Sequence, residues 1–174
     1  LRFTVQNSGA PFTDINYRLQ YANKGVAANC ESVSGPTFAD VPTASGCGSS
    51  AVCMATTTNF TDRASTTREL SVPSGFTYTA GQIMKDTSQQ SGAVTLQSNQ
   101  FTELEYALRF TSNASGTTYC LRTTNGGTAL DSYIKIAVAN LRFTPVLAGL
   151  NLNGGSDISL MEGTTTLVTA TGTA

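Results

Sequence analysis

The chain has 174 residues, 40% hydrophobic and only 12% charged, with ten basic and eleven acidic side chains and a net charge of −1. That length supports one good core with a small extension. The basic residues are too few and too scattered to displace counterions from nucleic acid, and no apolar run approaches the ~20 residues of a membrane span.

The first element is "LRFTVQN", where Leu1, Phe3 and Val5 alternate with Arg2, Thr4 and Gln6. Such period-2 patterning predicts a half-buried strand. Leu1 already reads as strand with no initiator Met before it, so a signal peptide or preceding domain is expected to have been removed or to lie outside this sequence. "INYRLQYA" follows, with Ile15, Tyr17, Leu19 and Tyr21 on one face. Residues 22–68 hold three of the four cysteines and many small residues; a short strand is expected at "TFADVPT" and a disulfide-pinned excursion at "CGSSAVC". Further on come "FTELEYALRF", "TTYCLRTT" and the β-branched "SYIKIAVANLRF". Turn signals separate them, at Asn7-Ser8-Gly9, Ser34-Gly35-Pro36, Pro73-Ser74-Gly75, Asn113-Ala114-Ser115 and Asn125-Gly126-Gly127. No window carries a capped helical stripe. The fold class predicted is all-β, an antiparallel β-sandwich with long disulfide-pinned insertions, over residues 1–146.

Residues 147–174 change character. Gly149, Gly154 and Gly155 suggest a linker, and "ISLMEGTTTLVTATGTA" reads as two strand halves about Glu162-Gly163. One strand pair without a core is not stable in water. This C-terminal strand extension, with Ile158, Leu160, Leu167 and Val168 as its apolar positions, is therefore expected to pack on a neighbouring module or subunit. The tetrapeptide LRFT stands at 1–4, 108–111 and 141–144, but the sequences beyond each copy diverge at once. It is a strand rule, with Leu and Phe inward and Arg and Thr outward, and not a domain repeat.

The segment from Gly116 to Asn125, "GTTYCLRTTN", resembles the F strand of fibronectin type III domains, whose Gly-Thr-x-Tyr lead-in precedes alternating residues and an Asn-rich turn. "INYRLQYA" is similar to that family's C strand, and "FADVPT" to the strand after it. The family's usual Trp is missing, since the chain has none. "SDISLMEGTTTLVTATGT" resembles the opening of a following immunoglobulin-like module in large bacterial surface proteins. The resemblance implies a fibronectin type III or immunoglobulin-like sandwich and a surface location.

Cys30, Cys47, Cys53 and Cys120 form an even set in a chain with no His, which suggests two disulfides and an oxidising compartment, with three pairings open. The resemblance makes strands C and F antiparallel neighbours. That implies Cys30 with Cys120, near the shared end of those strands, and Cys47 with Cys53.

Chemistry is scarce. Without His there is no Ser-His-Asp triad or Cys-His dyad, and no glycine-rich phosphate loop stands between a strand and a helix. Glu103 and Glu105 are the best carboxylate pair. They share a face at i and i+2, and acid–base work on a glycoside or calcium binding would suit them, but they are expected to form a solvated face opposite Leu104, Tyr106 and Leu108. Asp14, Asp131 and Asp157, expected in loops, are the other calcium candidates, without a DxDxDG loop; no resident cofactor is expected. Phe12, Phe60, Phe76 and Tyr78 could stack on sugars, and are expected to cap the core ends instead. Lys24, Lys85 and Lys135 could form Lys–Asn isopeptide bonds, with Lys135 the one expected to be buried. Asn59-Phe60-Thr61 and Asn113-Ala114-Ser115 are sequons suited to surface loops.

The functional expectation is a secreted or cell-surface, non-enzymatic structural subunit of a filament or pilus, or a module of a surface protein. Its partners would be copies of itself or adjacent modules, joined by β-augmentation through the C-terminal strand. The alternative is an adhesion or carbohydrate-binding module with glycans as partners.

Overall fold

The structure, a computed structural model, describes residues 1–115 and 118–141. The boundary expected after residue 146, Asp157 and the assembly positions Ile158, Leu160, Leu167 and Val168 lie outside the described residues. Within them, regular structure is almost entirely strand. The strands are β1 (Arg2–Asn7), β2 (Phe12–Ile15), β3 (Tyr17–Asn23), β4 (Ala39–Asp40), β5 (Val52–Met54), β6 (Thr77–Tyr78) and β7 (Ile83–Met84). They continue with β8 (Val94–Leu96), β9 (Gln100–Tyr106), β10 (Leu108–Phe110), β11 (Thr118–Asn125), β12 (Thr128–Ala129) and β13 (Ala137–Asn140). Two single 3-10 turns, Cys30–Ser32 and Gly35–Thr37, interrupt the long connection after β3.

Two larger sheets carry the fold. In the first, β9 lies between β1, antiparallel, and the short β6 and β7. In the second, β11 has β3 along one edge and β12 and β13 along the other, with β4 beyond β3. Strand alternation then sorts the side chains. Phe3, Val5, Leu104 and Tyr106 of the first sheet and Tyr17, Leu19, Tyr119 and Leu121 of the second share one apolar core. Each large side chain buried there contributes roughly 1.5–3 kcal/mol. The Tyr106 hydroxyl lies 3.0 Å from Thr123 Oγ1, a polar tie between the two sheets inside that core.

Four expectations need correction. The pairing is not wholly antiparallel: β6 and β7 run parallel to β9. Residues 77–84 accompany β9 in its own direction and lift away in the middle, where the Gly81 N–H bonds to Thr66 Oγ1 at 2.9 Å instead of to β9. Thr66 Oγ1 in turn donates to the Glu103 carbonyl at 2.7 Å. "FTELEYALRF" is not one strand but two, β9 and β10, with different partners. "SYIKIAVANLRF" is strand only over β13 among its described residues, and Lys135 is exposed in the segment before it. Finally, neither β9 nor β11 has one solvated face; both are buried on two sides.

The bulge at Gly81 gives a direct test. A Cβ there would stand 2.1 Å from the backbone carbonyl oxygen of Glu103 and 2.6 Å from Thr102 Oγ1. Gly81→Ala is expected to lose about 2–3 kcal/mol through forced displacement of β9, read as a lower urea midpoint. Gly35→Ala, where nothing lies within 4 Å, should leave the midpoint nearly unchanged.

The excursion between β3 and β5 is what covers the second sheet's outer face. It is pinned by Cys30–Cys120, Cα atoms 5.4 Å apart, and joined to β5 by the Cys47–Cys53 bridge, Cα atoms 5.5 Å apart. Ala22, Cys30, Phe38, Cys120 and Ile136 form a second, smaller core under it. Two disulfides point to an oxidising environment. No helix among the described residues is long and apolar enough to cross a membrane.

Candidate functional site

The carboxylate pair is the first place to look for chemistry. Glu103 is fully buried, against expectation, because residues 65–70 cross the outer face of β9 and cover it. Its carboxylate accepts from the backbone N–H groups of Glu69 (3.0 Å) and Leu70 (2.9 Å) and from Arg2 Nη1 at 2.9 Å. Arg2 also donates from Nη2 to Glu105 at 2.6 Å and from Nη1 to the Thr67 carbonyl at 2.7 Å. Burial pushes the Glu103 carboxyl pKa up, but the Glu69 N–H, Arg2 and the Leu70 N–H together outweigh it and hold it below the ordinary 4.5. A buried carboxylate saturated with donors is a clamp for a crossing segment. It has neither the raised pKa of a general acid nor a face open to substrate.

A second polar cluster sits on the outer face of β3 and β11. Arg18 Nη1 meets Asp40 at 2.5 Å, and Arg18 Nη2 meets Gln90 Oε1 at 2.6 Å. Gln20 donates to Asp40 Oδ1 at 2.9 Å and accepts from Arg122 at 2.8 and 3.1 Å. The buried Arg122 guanidinium lies 4.0 Å from the Phe38 ring centroid and 5.6 Å from that of Tyr133. It makes no ion pair among the described residues; the aromatic faces and the Gln20 amide satisfy it instead. This network ties the excursion to the sheet.

The remaining candidates are dispersed. Asp14 is in β2, not a loop; it is exposed and at φ 58°, where the pairing with β8 shifts register. Asp131 is exposed, and among the described residues no three His, Cys, Asp or Glu side chains gather to hold a metal ion. The Nζ atoms of Lys24 and Lys85 bond to the carbonyls of Ala27 and Thr57. Phe12 is half exposed, Phe60 and Phe76 are partly buried, and Tyr78 packs against Phe101 with the rings tilted at 58° and its hydroxyl bonded to Thr66. The sequon residues Asn59 and Asn113 are both exposed. Beside the Cys47–Cys53 loop is a hollow of about 510 Å³ lined by Ala44, Ser45, Ala55, Thr56, Asp86 and Arg109. It contains no aromatic platform for a sugar ring.

What the described residues leave open is strand edge. β1 pairs with β9 in one unbroken register over six residues, from Arg2↔Glu105 to Asn7↔Gln100. Leu1 and Tyr106 exchange both backbone bonds, at 2.9 and 2.7 Å. Antiparallel ladders alternate, so Leu1, Phe3, Val5 and Asn7 turn their N–H and C=O groups to β9. Those of Arg2, Thr4 and Gln6 point away, and among the described residues no strand pairs with them. The same counting on β11 leaves the backbone groups of Val138 and Asn140 outward on the four-residue β13, with the Val138 side chain 54% exposed. Of the other outer strands among the described residues, β4, β6, β7 and β12 are two residues long, and β2, β5, β8 and β10, in two-stranded ladders, are three or four. Proteins usually blunt edges by shortness, charge, proline or bulges. β1 has no proline and no bulge, and its one charge is turned back onto Glu103 and Glu105. Alternation in "LRFTVQN" could identify a strand, but its being an outer strand depends on partners a hundred residues away.

Compared with protein-family models, curated proteins and solved structures, the chain finds no match in any of the three.

Proposed function

We propose that the chain is a non-enzymatic structural subunit or module of an extracellular surface filament or cell-surface protein. Its two sheets would form a β-sandwich of the fibronectin type III or immunoglobulin-like kind, and neighbours would join by strand addition. The observation that carries this reading is the six-residue outer edge of β1, with the four-residue β13 as a second edge without a further strand among the described residues. A regular outer edge whose one charge, Arg2, is held on its own sheet's Glu103 and Glu105 is a template for another strand. Supporting it, the strongest carboxylate and guanidinium groups are spent on clamping segments of the fold together. The strand halves around Ile158, Leu160, Leu167 and Val168 are the proposed donor, inserted at an edge of the next copy.

Deleting residues 150–174 tests this. The full chain is expected to form end-to-end threads in electron microscopy, and the truncated chain to fold with unchanged circular dichroism and to form none. Threads of undiminished length from the truncated chain would rule the donated strand out. An adhesion or carbohydrate-binding module remains the second reading. The hollow beside Cys47–Cys53 would be its site, and the lack of an aromatic in that lining ranks it below assembly.

A further inference from the structure

Among the described residues, β1 offers the longer of these two edges: it turns three residues outward where β13 turns two, Val138 and Asn140. We propose that β1 pairs antiparallel with β1 of a second copy across a two-fold axis at Thr4, joining the two first sheets into one continuous sheet. This rests on the assembly reading above and names its partner at one edge, leaving β13 for a donated strand.

The outward-facing backbone groups belong to Arg2, Thr4 and Gln6, an odd set centred on Thr4. Placed on a two-fold axis, Thr4 and its copy exchange both bonds, and Arg2 faces Gln6 of the second copy on each side. All outward N–H and C=O groups are then matched. The side chains agree with that register. On the outer face the central pair is Thr with Thr, a favoured cross-strand pair. Each Arg2 meets an uncharged Gln6, so no like charges are opposed, and Arg2 stays on its own Glu103 and Glu105. On the inner face Phe3 meets Val5 of the other copy, an aromatic against a β-branched residue. Phe3 is only partly buried and has area left to cover. A register slip of two residues puts Arg2 opposite Thr4 or Gln6 opposite Thr4 and leaves outward groups unmatched at both ends. A two-fold contact of this kind closes on itself, so it makes pairs. Threads then need the separate C-terminal contact.

The test uses the full chain. In an antiparallel bonded pair the Cα atoms stand about 5.5 Å apart, within the roughly 4.4–6.8 Å that a disulfide spans. Under air oxidation Thr4→Cys is expected to give a covalent dimer, with peptide mapping placing the cross-link between the introduced thiols and not at Cys30, Cys47, Cys53 or Cys120. Gln6→Cys places its thiols about 14 Å apart along the strands (four residues at ~3.4 Å), so it should cross-link at least tenfold more slowly. Thr4→Lys opposes two ammonium groups at the axis. It should weaken dimerisation at least tenfold by sedimentation at low salt and recover in part at high salt, while Thr4, exposed in one copy, tolerates the change. Equal cross-linking at both positions, no cross-link at Thr4, or unchanged sedimentation of Thr4→Lys would overturn the contact. The 150–174 deletion separates the two ideas. Loss of threads with the Thr4→Cys cross-link retained is the expected result. A Thr4→Cys cross-link that appears only after the deletion would mean that the C-terminal strand occupies β1 in the full chain, overturning the two-fold pairing while the assembly reading stands.

Discussion

Glu103→Ala is expected to cost the fold about 3–5 kcal/mol, the range for removing one partner of a buried charge pair. The loss has two sources. Arg2 is left half-buried with only Glu105 to pair, and the N–H groups of Glu69 and Leu70 lose their acceptor under the crossing segment. Glu103→Gln should lie in between, because an amide offers one acceptor oxygen where the carboxylate has two in use. Glu105→Ala, at the partly exposed end of the same clamp, should lose under about 1 kcal/mol. Urea unfolding of the three variants checks the order. The pH dependence has a defined sign. The folded pKa of Glu103 lies below 4.5, so the unfolded chain binds the proton more readily. Its contribution is complete above the unfolded value and drains away as the pH falls through the folded one. The gap between the parent chain and Glu103→Gln should therefore close on acidification below about pH 4.5. A gap that stays constant down to pH 2 would show that the carboxylate is not ionised in the fold.

Removing the Cys30–Cys120 bridge by Cys30→Ala with Cys120→Ala should be of similar size, about 4–5 kcal/mol on the loop-closure account. The bridge closes 90 residues of sequence, and it fastens the excursion that carries Phe38 onto Arg122. Without it, the second core and the Arg18–Asp40–Gln20–Arg122 network should open together, seen as faster amide exchange at Gln20, Ala22 and Arg122. Cys47–Cys53 closes only six residues, so Cys47→Ala with Cys53→Ala should lose about 2 kcal/mol and disturb β5 and β10 alone. If the two double variants lose equal stability, loop closure is not the governing term.

The contrast between these two bridges shows how much was legible beforehand. The short one is a local matter, two cysteines six apart around small residues. The long one is not local: in the sequence only the family resemblance implies it, and in the fold it follows from the antiparallel pairing of β3 and β11, which puts Ala22 opposite Cys120. Glu103 shows the same limit from the other side. At i and i+2 on an alternating strand, Glu103 and Glu105 read as a solvated face, and nothing near them in sequence signals a cover. The cover comes from residues 65–70, more than thirty positions earlier, and Thr66 and Gly81 are the small residues that let it approach. Lys135 fails likewise, since an apolar neighbourhood in sequence says nothing about whether the segment joins the ladder.

The sequence by itself determined the all-strand character, the inward positions of β1 and β3, the turns that separate them and the oxidised state suggested by four cysteines without His. These are short-range properties, set by side-chain period and turn chemistry within a few residues. The tertiary structure alone decided which strands have two neighbours and which have one, and which polar faces are covered. Those depend on long-range pairing, where the backbone groups of each strand are satisfied by segments up to a hundred residues away. The outward groups of Arg2, Thr4 and Gln6 are what remains when that pairing is complete among the described residues, and they are the groups on which the proposed assembly turns.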